Sequence, residues 1–220
     1  MKVFIGVGHG GSDPGAVANG VKEKDLNLSI ALACRDELVR HGVEVKMSRS
    51  TDENDPLSEE IKECNAYAPD LAVEIHNNAG GGDGAEVFHH HGGGKGKILA
   101  ENILAEIVKV GQNSRGLKVR KNSQGKDYYG FIRETSAPAV IVECAFVDNA
   151  SDLKILASES QRKSMGEAIA KGVLKTLGVA IQSEKRYYKV QVGAYLYREN
   201  AEDMQRKIKA VGFDAFIVRE

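Results

Sequence analysis

The chain has 220 residues, 42% of them hydrophobic and 28% charged, with a formal net charge of −1. That length holds one α/β domain with a small appendage, or two small domains, and it can bury a core without disulfides. The near-neutral balance gives no general argument for nucleic acid or an anionic membrane as partner, no apolar run is long enough to span a bilayer, and the scattered Cys34, Cys64 and Cys144 read as reduced structural thiols.

Residues 2–7 read as a first strand, followed by a glycine-rich turn over 8–20 that opens with Gly8-His9-Gly10-Gly11. Glu23 to Arg40 reads as a helix, with Ile30, Cys34 and Leu38 on one face and Gly42 as the stop signal. Val43 to Met47 alternates as a second strand. A polar loop from Ser48 to Asp55 leads to Pro56, which suits the first turn of a helix over 56–67. Residues 70–76 form a third strand with His76 at its end, and a Gly/Asn-rich turn over 77–84 leads to a fourth strand, 85–90. Residues 97–110 read as a helix whose inner positions are Ile98, Ile103, Ile107 and Val110. The stretch 111–132 is poorly patterned and reads as loop with short strands. The apolar run Ala139 to Glu143 is a central buried strand ending in a carboxylate, followed by a short helix near 151–157. Residues 159–177 are a helix with Ser158 as cap, Met165, Ile169, Val173 and Leu177 inside, and Gly178 as stop. Strands alternating with helices predict an α/β fold: a mainly parallel twisted sheet with helices on both faces, phosphorylase/hydrolase-like in outline.

His9, Glu23 and His76 each stand at the end of a predicted strand or helix, where α/β folds place their chemistry. Two imidazoles and one carboxylate suit Zn²⁺ and leave a fourth position open, as a catalytic site requires. The metal would acidify a water and polarise a carbonyl oxygen. A carboxylate held off the metal must then move the proton, and Glu143 at the end of its buried strand is the candidate. Taken singly, a histidine at a strand end is more often a hydrogen-bonded structural residue, and no H-E-x-x-H motif ties the set together. The run His89-His90-His91 shows no evident carboxylate partner and reads as a solvated strand end, with 89 and 91 on one face. Arg133 is a candidate for contacting substrate or orienting Glu143, against a surface salt bridge as the alternative. Cys144, next to Glu143, points the other way by alternation.

The blocks Gly8 to Ala16, Lys22 to Leu28, Ile75 to Ala79 and Pro138 to Glu143, in that order, resemble the zinc-dependent N-acetylmuramoyl-L-alanine amidase family of the Amidase_3 type, over residues 1 to about 179. The resemblance implies His9, Glu23 and His76 as zinc ligands and Glu143 as the catalytic glutamate, with Asn77 a further candidate for binding substrate or orienting the site. It implies hydrolysis of the amide between N-acetylmuramic acid and the first L-alanine of the peptidoglycan stem. A non-catalytic wall-binding protein on the same fold, or a zinc peptidase cutting within the stem peptide, are the alternatives. Two positions depart from the family pattern. Gly6-Val7 replaces an Asp-Pro, so a supporting role of that Asp is missing or moved, and Glu74 stands where Ser is frequent. Glu74 shares His76's side of the strand and would either add charge near the metal or, as the favoured reading, pair with a nearby Lys or Arg.

Residues 180–186 read as a linker. The remainder, 187–220, carries Tyr187, Tyr188, Tyr195, Tyr197, Phe213 and Phe216 and reads as β-α-β, with strands over 188–192 and 213–218 around a helix over 200–211. It resembles one half of a SPOR peptidoglycan-binding repeat, with Tyr188, Gln191 and Tyr195 as candidate wall contacts. Three elements make a thin core, so this unit is expected to need a partner, such as a second copy in a homodimer. Peptidoglycan is the expected partner, with no nucleic acid and no membrane. With no signal-peptide h-region ahead of the first strand, the expectation is cytoplasmic synthesis and action on the wall after release, by mother-cell lysis in sporulation or by phage lysis as an endolysin.

Overall fold

The computed structural model describes residues 1–182 and 191–218. Contacts divide the chain into two compact units, Met1–Gln182 and Ser183–Glu220. The elements in chain order are β1 (Lys2–Val7), β2 (Val17–Ala18), β3 (Val21–Lys22), α1 (Glu23–Arg40), β4 (Glu44–Met47), α2 (Leu57–Tyr67), β5 (Leu71–Asn78), β6 (Ala85–His89), α3 (Gly94–Lys109), β7 (Ser114–Lys118), α4 (Gly130–Glu134), β8 (Ala139–Phe146), α5 (Ala150–Leu156), α6 (Glu159–Leu177) and α7 (Arg198–Ala210).

The first unit is built on a six-stranded sheet of order β4-β1-β5-β8-β6-β7. Strands β4, β1, β5 and β8 are parallel, β6 runs antiparallel to β8, and β7 runs parallel to β6. The sheet is thus mainly parallel, as its sequence pattern predicts. Side chains alternate between two unequal faces. On one face Val3, Ile5, Leu71, Val73, Ile75, Val140, Val142 and Cys144 pack with α1, α3 and α6 in one large core. On the other face Phe4, Ala72, Ala139 and Ile141 form a smaller cluster with Ile61 and Cys64 of α2 and Phe131 and Ile132 of α4, edged by the partly buried Tyr67, Phe88, Tyr129 and Ala137. Those two helices are short and cover the lower part of that face, so the C-terminal ends of β5 and β8 stand open above them.

Local signals set the long helices. Ser158 caps α6 in a reciprocal capping box with Gln161, and Gly178 closes the helix in a left-handed conformation. In α1 the expected Ile30, Cys34 and Leu38 are fully buried. In α3 the stripe is rotated from the expected one. Ile103 and Ile107 are buried, but Ile98 and Val110 are exposed, and Leu99, Ala100 and Leu104 take the inner places. The helix starts at Gly94, three residues earlier than expected, and Gly96, Leu99, Ala100, Ile103, Leu104 and Ile107 recur at helical spacing on its buried side. The hairpin β2-β3, hidden within the glycine-rich turn, is too short to leave a periodic signal.

In the second unit α7 forms where expected and buries none of its residues. The expected flanking strands are a correction. Residues 213–218 and 191–192 form no strand, while 188–190 lie outside the described residues. A strand is stable only against a neighbour, and among the described residues no strand pairs with 213–218.

Candidate metal centre and cleft

The expected ligand set converges. Ligand atoms of His9, Glu23 and His76 all lie within 4.8 Å of one another. His9 follows the end of β1, His76 is near the end of β5, and Glu23 is the first residue of α1. The β2-β3 hairpin delivers Glu23 to its place, and the Glu23 and Lys24 amides donate to the carbonyls of Ala16 and Pro14. Glu23 Oε2 is 3.2 Å from His9 Nε2, and Oε1 is 3.0 Å from His76 Nδ1. Amides fix the carboxylate from behind: Ala16 N–H donates to Oε2, while Asn77 N–H and Asn27 Nδ2 donate to Oε1. Burial alone would raise the Glu23 carboxyl, but the imidazoles of His76 and His9 hold it far below the usual carboxylate range. In turn Glu23 raises His9, against its burial, and Glu23 with Glu74 raises His76 well above the ordinary imidazole value despite its burial. Each of these shifts is what a cation at the centre of the trio would replace, and a His₂Glu donor set fits zinc.

His9 adopts a left-handed backbone, φ 62°, which a non-glycine residue holds only when its surroundings impose it. The sequence gives no hint of what does so. The side chain of Arg49, from the polar loop after β4, is buried under the turn. It donates to the carbonyls of Val7 (3.1 Å), Gly8 (3.3 Å), Lys24 (2.9 Å) and Thr51 (3.0 Å). Lys24 adds Nζ to Gly11 O and pairs with Asp52, which accepts the Gly11 amide. Asp13 Oδ2 lies 2.7 Å from His9 Nδ1 and so orients the ring.

Gly8 and Gly6 are required for room. A Cβ on Gly8 would lie 2.1 Å from His76 Cε1. A Cβ on Gly6 would lie 1.9 Å from Glu60 Oε1 and 3.1 Å from Glu74 Cγ. The Asp that the family places at position 6 is therefore displaced here by a carboxyl reaching across from α2. Glu60 is buried, and burial, with Glu74 and Asp55 nearby, pushes its pKa well above the usual carboxylate range. The favoured reading of Glu74 needs correction: its Oε1 lies 3.3 Å from His76 Nε2, and among the described residues no Lys or Arg pairs with it.

A cleft of about 690 Å³ opens over the trio and is lined by His9, Asp55, Glu60, Glu74, His76, Tyr129 and Glu143, among others. Glu143 stands beside His76 in register on the neighbouring strand. Its Oε2 is buried with no hydrogen-bond partner among the described residues. Burial pushes its carboxyl up to about 7, against the pull of His76.

Other expected residues fall elsewhere. Arg133 does not line the cleft or reach Glu143; it donates to the carbonyls of Asp127 and Tyr128 and pairs with Glu134 at 2.5 Å. Asn77 is buried and bonds Asn27 and Glu23, an orienting place without access to the cleft. Cys144 is in the large core. The three histidines after β6 do have a carboxylate: His90 and His91 both meet Asp127, while His89 turns inward and is buried. Tyr195 and Gln191 are exposed, and Tyr188 lies outside the described residues.

The profile of the N-acetylmuramoyl-L-alanine amidase family, Amidase_3, matches residues 3–175, and that of the SPOR domain matches residues 139–219, reaching back into β8 rather than starting at 187. The chain is 35% identical over 223 residues to N-acetylmuramoyl-L-alanine amidase CwlM of Bacillus licheniformis, covering 99% of this chain and 85% of that protein. It is 33% identical over 222 residues to the sporulation-specific N-acetylmuramoyl-L-alanine amidase of Bacillus subtilis, covering 99% and 84%. Among solved structures, Cwp6 from Clostridium difficile superposes with a TM-score of 0.79 at 38% identity, over 80% of this chain and 29% of that one. The open His₂Glu centre, Glu143 beside it and these relatives agree, and the chain belongs to the N-acetylmuramoyl-L-alanine amidase family.

Proposed function

We propose that the cleft holds a zinc ion between His9, Glu23 and His76 and uses Glu143 to move the proton. The chain is an N-acetylmuramoyl-L-alanine amidase and cuts the amide that joins N-acetylmuramic acid to L-alanine in peptidoglycan. Zinc, when bound, supplies Lewis-acid polarisation of the scissile carbonyl and makes an attacking water more acidic. Glu143 has a buried oxygen with no partner and a carboxyl poised near 7. It is therefore suited to take the water's proton and hand it to the leaving alanine nitrogen. Glu23 is locked by three donors, so the set is held before substrate arrives. Glu74 Oε1 faces His76 Nε2 and favours the tautomer whose proton is on Nε2, leaving Nδ1 for the metal.

The convergence of His9, Glu23 and His76 around one point, with Glu143 on the next strand, carries this reading. Digestion of purified sacculi tests it: the expected products are free L-alanine amino termini on an intact glycan. Cuts within the peptide or the glycan would favour the peptidase or another hydrolase instead.

Residues 1–179 as catalytic domain, 180–186 as linker and 187–220 as half a SPOR repeat remain our reading of the domain plan, and the SPOR match supports the last. Tyr188, Gln191 and Tyr195 are proposed wall contacts, and pairing of two half-repeats is the proposed homodimer. Action after mother-cell or phage lysis is supported by the named relatives, a sporulation-specific amidase and an endolysin of Bacillus phage SPP1, 34% identical over 190 residues. Among the described residues no helix is long and apolar enough to cross a membrane.

A further inference from the structure

Outside the cleft, one other group of side chains among the described residues brings metal-binding atoms together: His90, His91 and Asp127, whose ligand atoms also lie within 4.8 Å of one another. Asp127 is buried, with Oδ2 at 2.8 Å from His91 Nδ1 and 3.1 Å from His90 Nε2. Its Oδ1 accepts the His91 amide at 2.9 Å, which fixes the carboxylate plane. The two imidazole rings are partly exposed and stack with centroids 4.5 Å apart. The donor atoms therefore face one point from a buried carboxylate on the protein side, with solvent access on the other.

We propose that His90, His91 and Asp127 form a second metal site, separate from the catalytic centre, that takes a divalent ion of the zinc class and clamps the 119–129 loop to the end of β6. Two imidazoles and a carboxylate suit a borderline ion such as zinc, with water completing the shell. Ligands of one zinc at about 2.1 Å each sit roughly 3–4 Å apart; the His90–Asp127 contact of 3.1 Å already has that spacing, and the His91–Asp127 contact of 2.8 Å has to open slightly. Binding at His91 Nδ1 and His90 Nε2 displaces the hydrogens those atoms direct at Asp127, so each neutral ring takes its other tautomer. His90 must then carry its proton on Nδ1 and give up the contact with the Gly92 amide, now 3.0 Å. The glycine run Gly92-Gly93-Gly94 is the part of the chain best able to turn that amide aside.

The site is distinct from the cleft. Glu86 pairs with Glu143, and His90 follows Glu86 by four residues, roughly 13 Å of extended chain. It is nevertheless joined to the cleft wall. Arg133 holds the carbonyls of Asp127 and Tyr128, and the next residue, Tyr129, lines the cleft and packs edge-on against Phe88 at 4.8 Å. An ion here would fix the loop that carries Tyr129.

The test is metal stoichiometry of the full, tag-free chain by equilibrium dialysis against micromolar zinc and elemental analysis. Wild type is expected to hold two equivalents, the double variant His90→Ala/His91→Ala one, and His9→Ala one. Asp127→Asn, which retains an acceptor for the His91 amide, guards against misfolding of the double variant and is expected to hold fewer than two. A far-ultraviolet spectrum checks each fold. Equal metal content in wild type, the double variant and Asp127→Asn would overturn the second site. Retention of both equivalents by His9→Ala would instead count against the catalytic centre, so the two failures are distinguishable.

Discussion

The two faces of the central sheet are built for different tasks. Three long helices, α1, α3 and α6, cover one face, and the strand residues packed there are apolar or a buried thiol until the strand ends, where Asn77 and His89 are buried. Two short helices, α2 and α4, cover the other face in part. Along β5 and β8 that second face changes within four residues from Ala72 to Glu74 and His76, and from Ile141 to Glu143. The difference teaches that the cleft comes from incomplete cover. Where the helices stop, the alternating positions turn polar and take up chemistry, while their neighbours one residue away go on stabilising the fold.

The sharpest way to separate the faces is to damage the covered one. Ile103→Ala, in the α3–α6 contact, should cost about 2–5 kcal/mol of stability. Turnover per folded molecule should stay unchanged, and denaturant unfolding beside kcat measures both. Loss of turnover in the folded fraction would break the comparison.

The open face should show a pH signature in metal-free protein. The Glu143 carboxyl stands near 7 in the fold and 4.5 as a free side chain. Between those values the folded chain keeps a proton that the unfolded chain has lost. The contribution is therefore present below about pH 4.5 and lost as the pH rises through 7, up to about 3 kcal/mol. The raised imidazoles of His9 and His76 work in the same direction. Glu143→Gln should therefore remove only its own part of the decline, read from unfolding curves at pH 5 and pH 8.

Gly8→Ala places a methyl on the His76 ring. It is expected to weaken zinc binding about 10–100-fold, measured by competition with a chelator, as losses of ligand positioning do. The smallest effect belongs to the covered face. Ser158→Ala removes the capping box of α6 and should cost about 1 kcal/mol with no change in zinc affinity.

The sheet and its helices were legible because burial writes pattern into the chain: near-continuous apolar runs along β1 and β8, alternation along β4, helical spacing along α1 and α6. His9, Glu23, His76 and Glu143 were legible as a set only through the order of four motif blocks. What holds them was not. Arg49 looks like any polar loop residue, and only the fold shows that four carbonyls from three segments close around it. Asp127 is 36 residues from His91 in a stretch without pattern, so the histidine run looked unpartnered. Glu60 replaces a side chain absent at Gly6, a compensation in space that leaves no trace in local sequence. At 213–218 the opposite holds: the local pattern suits a strand, and among the described residues no neighbouring strand pairs with it.

The central claim is that three residues hold the metal and a fourth, off the metal, moves the proton. Glu143→Ala, assayed for zinc content and for turnover on sacculi, tests it most directly. The account predicts zinc content equal to wild type and turnover reduced by about 10²–10⁴-fold. Near-normal turnover with zinc in place would contradict the role given to Glu143.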